Sequence, residues 1–329
     1  MSELKDKTDP AGPPPARTAR EKLVFCVKDG GWAGLRTALW LMKIMLPISL
    51  AVSLLAWLGA LNYLGKYLDP AMRLVGLPGE TVVAFLTGAL LNIYSGIAAL
   101  GSLELTDRQV TILAMLMLVA HNFPIETVIQ RKAGTPIWRT LVLRLAAGLI
   151  GAALLNLAMP ADPGAARARV LVQAGDLGLW AFLAKWAVGI ARLAGQVIGI
   201  VMALMILQRV LKEFGVIDRL SRLLAPVLWL MGLPRSTAFL WIVANTIGLA
   251  YGGAIIIEET QRGEITDRDA QIINRSVAVC HSLLEDTLLF AAIGAWAFWI
   301  TVPRVLLAAG VVWFYRAAVA LRGRRHSSV

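Results

Sequence analysis

L105-TDRQVTILAMLMLVAHNFPIE-T127 and I265-TDRDAQIINRSVAVCHSLLED-T287 are two versions of one segment, about 160 residues apart. In each, Thr-Asp-Arg opens the run, a histidine (His121, His281) lies fifteen residues past the threonine, an acid lies five beyond the histidine, and a threonine closes it. Thr106 with Gln109 reads as a capping box and Thr266 with Asp269 as a weaker one, so both segments start as helices at matched points. At 1.5 Å per residue the imidazoles stand about 22 Å along their helices, which is near the middle of the bilayer, with its hydrocarbon layer roughly 30 Å thick, once a few ångströms of headgroup region are subtracted. Pro124 removes a backbone donor one turn after His121 and is expected to break the first helix there.

The composition requires such a layer. Hydrophobic residues make up 58% of the chain and charged residues 16%, and several runs reach the roughly 20 residues that a spanning helix needs. The first twenty residues, charged and proline-rich, read as a disordered tail rather than a cleaved signal peptide. Cys26 and Cys280 give no disulfide framework. The net charge of +11 sits in short loops and tails, the pattern of the positive-inside rule, so nucleic acid is not an expected partner.

The repetition extends well beyond the histidines. Apolar spans over 37–64 and 193–213 lead each copy, G76-L-P and G232-L-P mark the same turn, and spans over 136–160 and 299–321 close them. The division is a tail (1–20), a first repeat (21–160), a linker (161–176), a second repeat (177–322) and a basic tail (323–329). Gly195-x-x-x-Gly199 reads as a close-packing face. The Trp-rich ends, Trp32, Trp40, Trp180 and Trp313 among them, read as interfacial anchors.

Between turn and histidine segment lie P78-GETVVAFLTGALLNIYSGIAAL-G101 and P234-RSTAFLWIVANTIGLAYGGAII-I257, apolar runs interrupted by polar residues. Asn92, Tyr94, Ser95 and Gly96 correspond loosely to Asn245, Thr246, Tyr251, Gly252 and Gly253. If each run crossed, the basic loop at Arg131–Lys132 and the stretch Arg209, Lys212, Arg219, Arg222 would face away from the basic tails. If each folds back as a hairpin, these residues and Arg262, Arg268 and Arg275 share the inner side with both termini, leaving Lys66, Arg73, Arg108, Arg167, Arg169 and Arg304 outside. The expected fold is therefore an all-α polytopic membrane protein of two inverted repeats. Each has about three transmembrane helices, a re-entrant hairpin and a broken helix, the layout in which transporters hold solute near the midplane.

The repeated G-L-P turn, the Asn/Tyr/Gly-rich segment and H281-S-L-L-E-D-T resemble the nucleoside-recognition (Gate) proteins, a group that includes spore maturation proteins A and B. Related modules occur in concentrative nucleoside transporters and in the membrane part of ferrous-iron transporters. The resemblance covers about residues 37–321. It implies solute contacts from the hairpins, Asn92, Tyr94, Ser95, Asn245, Thr246 and Tyr251, and from the broken helices, His121, Asn122, Glu126, His281, Ser282, Glu285 and Asp286.

The leading reading is a transporter or facilitator of a small polar solute, nucleoside-like by the resemblance, with the histidines hydrogen-bonding solute or taking part in proton coupling. A divalent-metal pathway through the His and carboxylate pairs is one alternative, although two histidines without thiolates form a thin ligand set. A structural or assembly protein that has kept the fold and lost transport is another. The chain has no HExxH, GxSxG or GxxxxGK[ST], so no enzymatic role, cofactor or resident metal is expected. The expected setting is the cytoplasmic membrane of a bacterium with both termini cytoplasmic. The lipid bilayer and the solute are the partners, and a homo-oligomer is compatible with the sequence.

Overall fold

Two chain segments with the same order of helices interlock. The computed structural model describes residues 18–161 and 178–326, and every regular element among them is helical. The first copy comprises α1 (Ala19–Trp57), α2 (Ala60–Arg73), α3 (Thr81–Leu90), α4 (Ile93–Leu100), α5 (Asp107–Val119), α6 (Phe123–Lys132) and α7 (Ile137–Ala158). The second comprises α8 (Leu179–Glu213), α9 (Val216–Leu230), a 3-10 turn at Arg235–Thr237, α10 (Ala238–Thr246), α11 (Leu249–Gln261), α12 (Asp267–Val279), α13 (Leu283–Ala292) and α14 (Ala297–His326). The linker over 161–176 apart from its first residue, most of the amino-terminal tail and the last three residues of the basic tail fall outside the described residues.

Five segments are long and apolar enough to cross a membrane: α1, α5 with α6, α7, α8 and most of α14. The partner of α5–α6 in the second copy, α12–α13, carries Asp267, Asp269, Gln271, Asn274 and Arg275 and is too polar to join them by composition. It nevertheless has the same length, the same break and the same start, a Thr266 hydroxyl that accepts from the Asp269 amide. Thr106 and Gln109 form the full reciprocal box.

The copies are inverted. Equivalent helices α1 and α8 run antiparallel, with Gly30 against Ile206, Gly34 against Met202 and the Trp186 indole donating to Ser49. A Cβ on Gly30 or Gly34 would come within 2.8 Å of α8 backbone, so these two glycines set the approach of the helices. Gly195 and Gly199, expected to do so, have nothing within 4 Å of such a Cβ. The small-residue face is on the other helix.

The runs between turn and histidine segment fold back. α3 and α4 meet antiparallel at Gly88 and Gly96, and α10 and α11 at Ala244 and Gly252, where an added Cβ would come within 2.7 Å of Ala244 Cα. That register pairs Gly88 with Ala244 and Gly96 with Gly252. Asn92 therefore stands where the second copy has Gly248, and Asn245 where the first has Ala89. The looser match of Asn92 and Tyr94 to Asn245 and Tyr251 is corrected: the polar groups of the two hairpins are not equivalent. Each hairpin is entered through a turn that needs a left-handed glycine, Gly76 at φ 75° and Gly232 at φ 85°. There the Leu77 and Leu233 amides close onto Met72 O and Leu228 O, each at 3.0 Å.

Charged helix ends gather in two places. Lys22 pairs with Glu213 and Asp29 with Arg209, which puts the start of α1 beside the end of α8. Lys132 and Gly134 share a pocket with Thr260, Gln261 and Asp267, so the ends of α6 and α11 and the start of α12 lie together. Arg304, expected in an outer loop, is instead 0% exposed within α14.

Candidate functional site

Both long helices break at their histidine. α5 ends at Val119 and α6 begins at Phe123; α12 ends at Val279 and α13 begins at Leu283. Asn122 at φ 49° and Ser282 at φ 48° are the two non-glycine residues with left-handed backbone among those described. Holding side chains there costs on the order of 1–3 kcal/mol each, so surrounding structure must impose it. The hairpins do: the Asn122 amide donates to Gly88 O at 2.9 Å and the Ser282 amide to Ala244 O at 3.0 Å. Pro124 fills the first turn of α6, but α13 has Leu284 there and breaks identically. The hairpin contact, and not proline, is the feature common to both breaks.

A break costs the last carbonyls their regular i+4 amide donors, and side chains bond to them. His121 Nδ1 donates to Met117 O at 3.0 Å and His281 Nδ1 to Val277 O at 2.7 Å. Arg144 Nε donates to Val119 O at 2.7 Å from α7. On the far side of each break the acids sit in the first turn of a new helix, Glu126 in α6 and Glu285 with Asp286 in α13, where exposed amides favour negative charge. Cations at carboxyl ends and anions at amino ends thus meet in one place.

The centre is buried and cross-linked between repeats. Glu126 Oε1 lies 3.2 Å from His121 Nε2, Glu126 Oε2 lies 3.4 Å from His281 Nε2 and 2.7 Å from Arg144 Nη1, and the rings of His121 and His281 are 5.2 Å apart. Asp286 faces Arg304 Nη1 at 3.4 Å. Tyr94 from the first hairpin donates to Glu285 of the second copy. His121, Glu126, His281 and Asp286 are at most 5% exposed, and Arg144 and Arg304 are fully buried. Several donors and acceptors remain unmatched in hydrogen-bond geometry, among them His281 Nε2, Glu126 Oε2, Arg144 Nη2 and Arg304 Nη2.

The residues named from sequence separate into groups. His121, Glu126, His281, Glu285, Asp286 and Tyr94 converge, and Asn122 and Ser282 are the hinges beneath them. Asn92 caps α4 through the Ser95 amide and hydroxyl. Asn245 and Thr246 bond back to Trp241 O and Ile242 O of their own helix, and Asn245 also takes the Cys280 thiol. Tyr251 stands apart, half exposed with Lys212 over its ring. Sequence reasoning missed Arg144 and Arg304. Their signal was present: each lies 23 residues beyond its histidine, inside an otherwise apolar span.

A family model described as nucleoside recognition, named Gate, matches residues 38–134 and 194–296, one match per copy. The Uncharacterized membrane protein YvoD of Bacillus subtilis (strain 168) is 32% identical over 268 residues, 80% of this chain and 85% of that protein. No solved structure matches.

Proposed function

This chain belongs to the nucleoside-recognition (Gate) family of membrane proteins, and we propose that it moves a small polar solute of nucleoside-like chemistry through the centre where its two broken helices meet. One observation carries the reading: inverted repeats bring four half-helix ends and eight ionisable side chains to one buried point between two hairpins. Non-helical backbone at that depth is tolerated where it is buried in protein or lines a solute path, and inverted repeats give such a point two interchangeable routes to the two faces. With the centre this closed, the arrangement corresponds to an occluded state, and solute enters when one hairpin moves off its hinge.

The end that carries Arg131, Lys132, Arg262 and Arg268 is taken as cytoplasmic. Lys132→Cys and Arg262→Cys should then label from the cytoplasmic side; labelling of the first from the opposite face overturns this orientation.

Purified protein should be stabilised by one class of nucleoside or nucleobase, by up to about 2.7 kcal/mol at a hundred times its dissociation constant. His281→Ala and Asp286→Asn should abolish that stabilisation while folded protein remains. A flat response across nucleosides and nucleobases, with no uptake into vesicles, would move the protein to a structural role.

A further inference from the structure

The backbone fixes the tautomer of both histidines. A carbonyl oxygen only accepts, so the Nδ1 atoms that meet Met117 O and Val277 O carry hydrogens, and each neutral ring presents a bare lone pair at Nε2. Both Nε2 atoms point at the Glu126 carboxylate, at 3.2 and 3.4 Å. Two lone pairs and an anion held at that range repel unless positive charge lies among them. One proton satisfies one of the two contacts and leaves the other. Protonating both rings sets two imidazoliums 5.2 Å apart with Arg144 2.7 Å from the same carboxylate, three cations around one anion. His281 Nε2 and Glu126 Oε2 are buried without an aligned partner.

We propose that His121, His281 and Glu126 bind a divalent transition-metal ion through two neutral Nε2 atoms and one carboxylate oxygen. Ligands about 2.0–2.1 Å from a tetrahedral Zn²⁺ stand roughly 3.3 Å from one another; here His121 Nε2 is 3.2 Å from Glu126 Oε1 and His281 Nε2 is 3.4 Å from Glu126 Oε2, so each imidazole approaches its own oxygen of the one carboxylate. All three ligand atoms lie within 4.8 Å of one another. Outer-shell partners of the kind that orient metal ligands are present: each imidazole donates its other N–H to a backbone carbonyl, and Arg144 Nη1 stands 2.7 Å from Glu126 Oε2, leaving Oε1 free of the guanidinium. Three protein ligands leave a coordination position for water or for an oxygen or nitrogen of a solute. The site stands on the same centre as the transport reading but does not require it.

The test uses full-length protein stripped with chelator and titrated with Co²⁺ and then Zn²⁺. One equivalent should bind, with the visible bands of a four- or five-coordinate Co²⁺ that Zn²⁺ displaces. His281→Ala and Glu126→Gln should each weaken binding by more than the roughly 10–100-fold that accompanies loss of an outer-shell partner. His326→Ala, which removes the chain's third histidine, should leave binding unchanged. X-ray absorption of the ion on unmutated protein should show two imidazoles in its first shell, and this decides the matter even where a variant fails to fold. No binding, an all-oxygen shell, or binding indifferent to both substitutions overturns the site. Stoichiometric metal without solute uptake leaves the site standing and removes the transport proposal; solute binding by protein that takes up no metal does the reverse.

Discussion

The two repeats agree in backbone and differ in chemistry. Both break after thirteen-residue helices, both hinge on a left-handed residue held by a hairpin carbonyl, and both place an arginine opposite an acid. Yet Glu126 reaches both histidines and its arginine, whereas Asp286, one methylene shorter, makes a single ion pair among the described residues, with Arg304 at 3.4 Å. Glu285 has no acidic counterpart, since the first copy carries Ile125, and it is held by Tyr94 from the other repeat. Arg144 Nε caps a broken helix end while Arg304 Nε makes no hydrogen bond among the described residues. Symmetry of fold thus sets where the groups meet, and side-chain length decides which acid reaches both histidines.

The largest consequence falls on the acids. Glu126→Gln leaves a fully buried Arg144 without its counter-charge, and breaking such a pair costs about 3–5 kcal/mol. Asp286→Asn, at its longer contact, should cost clearly less in unfolding measurements in detergent. Equal losses would mean that the asymmetry has no energetic weight.

Arginine replacement sharpens the same contrast. Arg144→Met should destabilise more than Arg304→Met, because only the first also uncaps Val119 O. Adding Glu126→Leu to Arg144→Met should recover part of the loss, with a coupling of about 0.5–3 kcal/mol for groups in direct contact. Strict additivity in that cycle would show that the pair is not a unit.

Tyr94→Phe removes the hydrogen bond that ties the first hairpin to the second broken helix. A buried acceptor left unmatched costs about 1–3 kcal/mol, and the loss should disappear when Glu285→Leu is made first. Persistence of the full penalty in that background would place the tyrosine's contribution elsewhere.

The smallest effect tests where the copies are alike. Asn122→Gly and Ser282→Gly relieve the same left-handed strain, so each should shift stability by no more than about 1 kcal/mol, offset by the added freedom of glycine in the unfolded chain. The two shifts should match; a large difference would show that the hinges are not mechanically equivalent.

Much of the architecture could be read directly. The repeated TDR…H…T segment, the paired G-L-P turns and the charge asymmetry led to inverted repeats with hairpins and broken helices, because each feature is local or is a sum over loops. Pairing of side chains was less accessible. Arg304 looked like a loop charge, Gly195 and Gly199 like a packing face, and Pro124 like the cause of a break, because sequence records a residue's neighbours along the chain and not those across it.

The sequence by itself determined an α-helical membrane protein of two related halves, with His121, Glu126, His281 and Asp286 carried on broken helices. Hydrophobic length, capping and loop charge act over one helix or one loop, and they suffice for that. Tertiary structure alone decided that Glu126 would join both histidines, that Arg144 and Arg304 would lie fully buried, and that Tyr251 would stand outside the cluster. Those outcomes depend on how two inverted helix sets interdigitate, where a shift of one methylene makes or breaks a contact between residues about 160 positions apart in the chain.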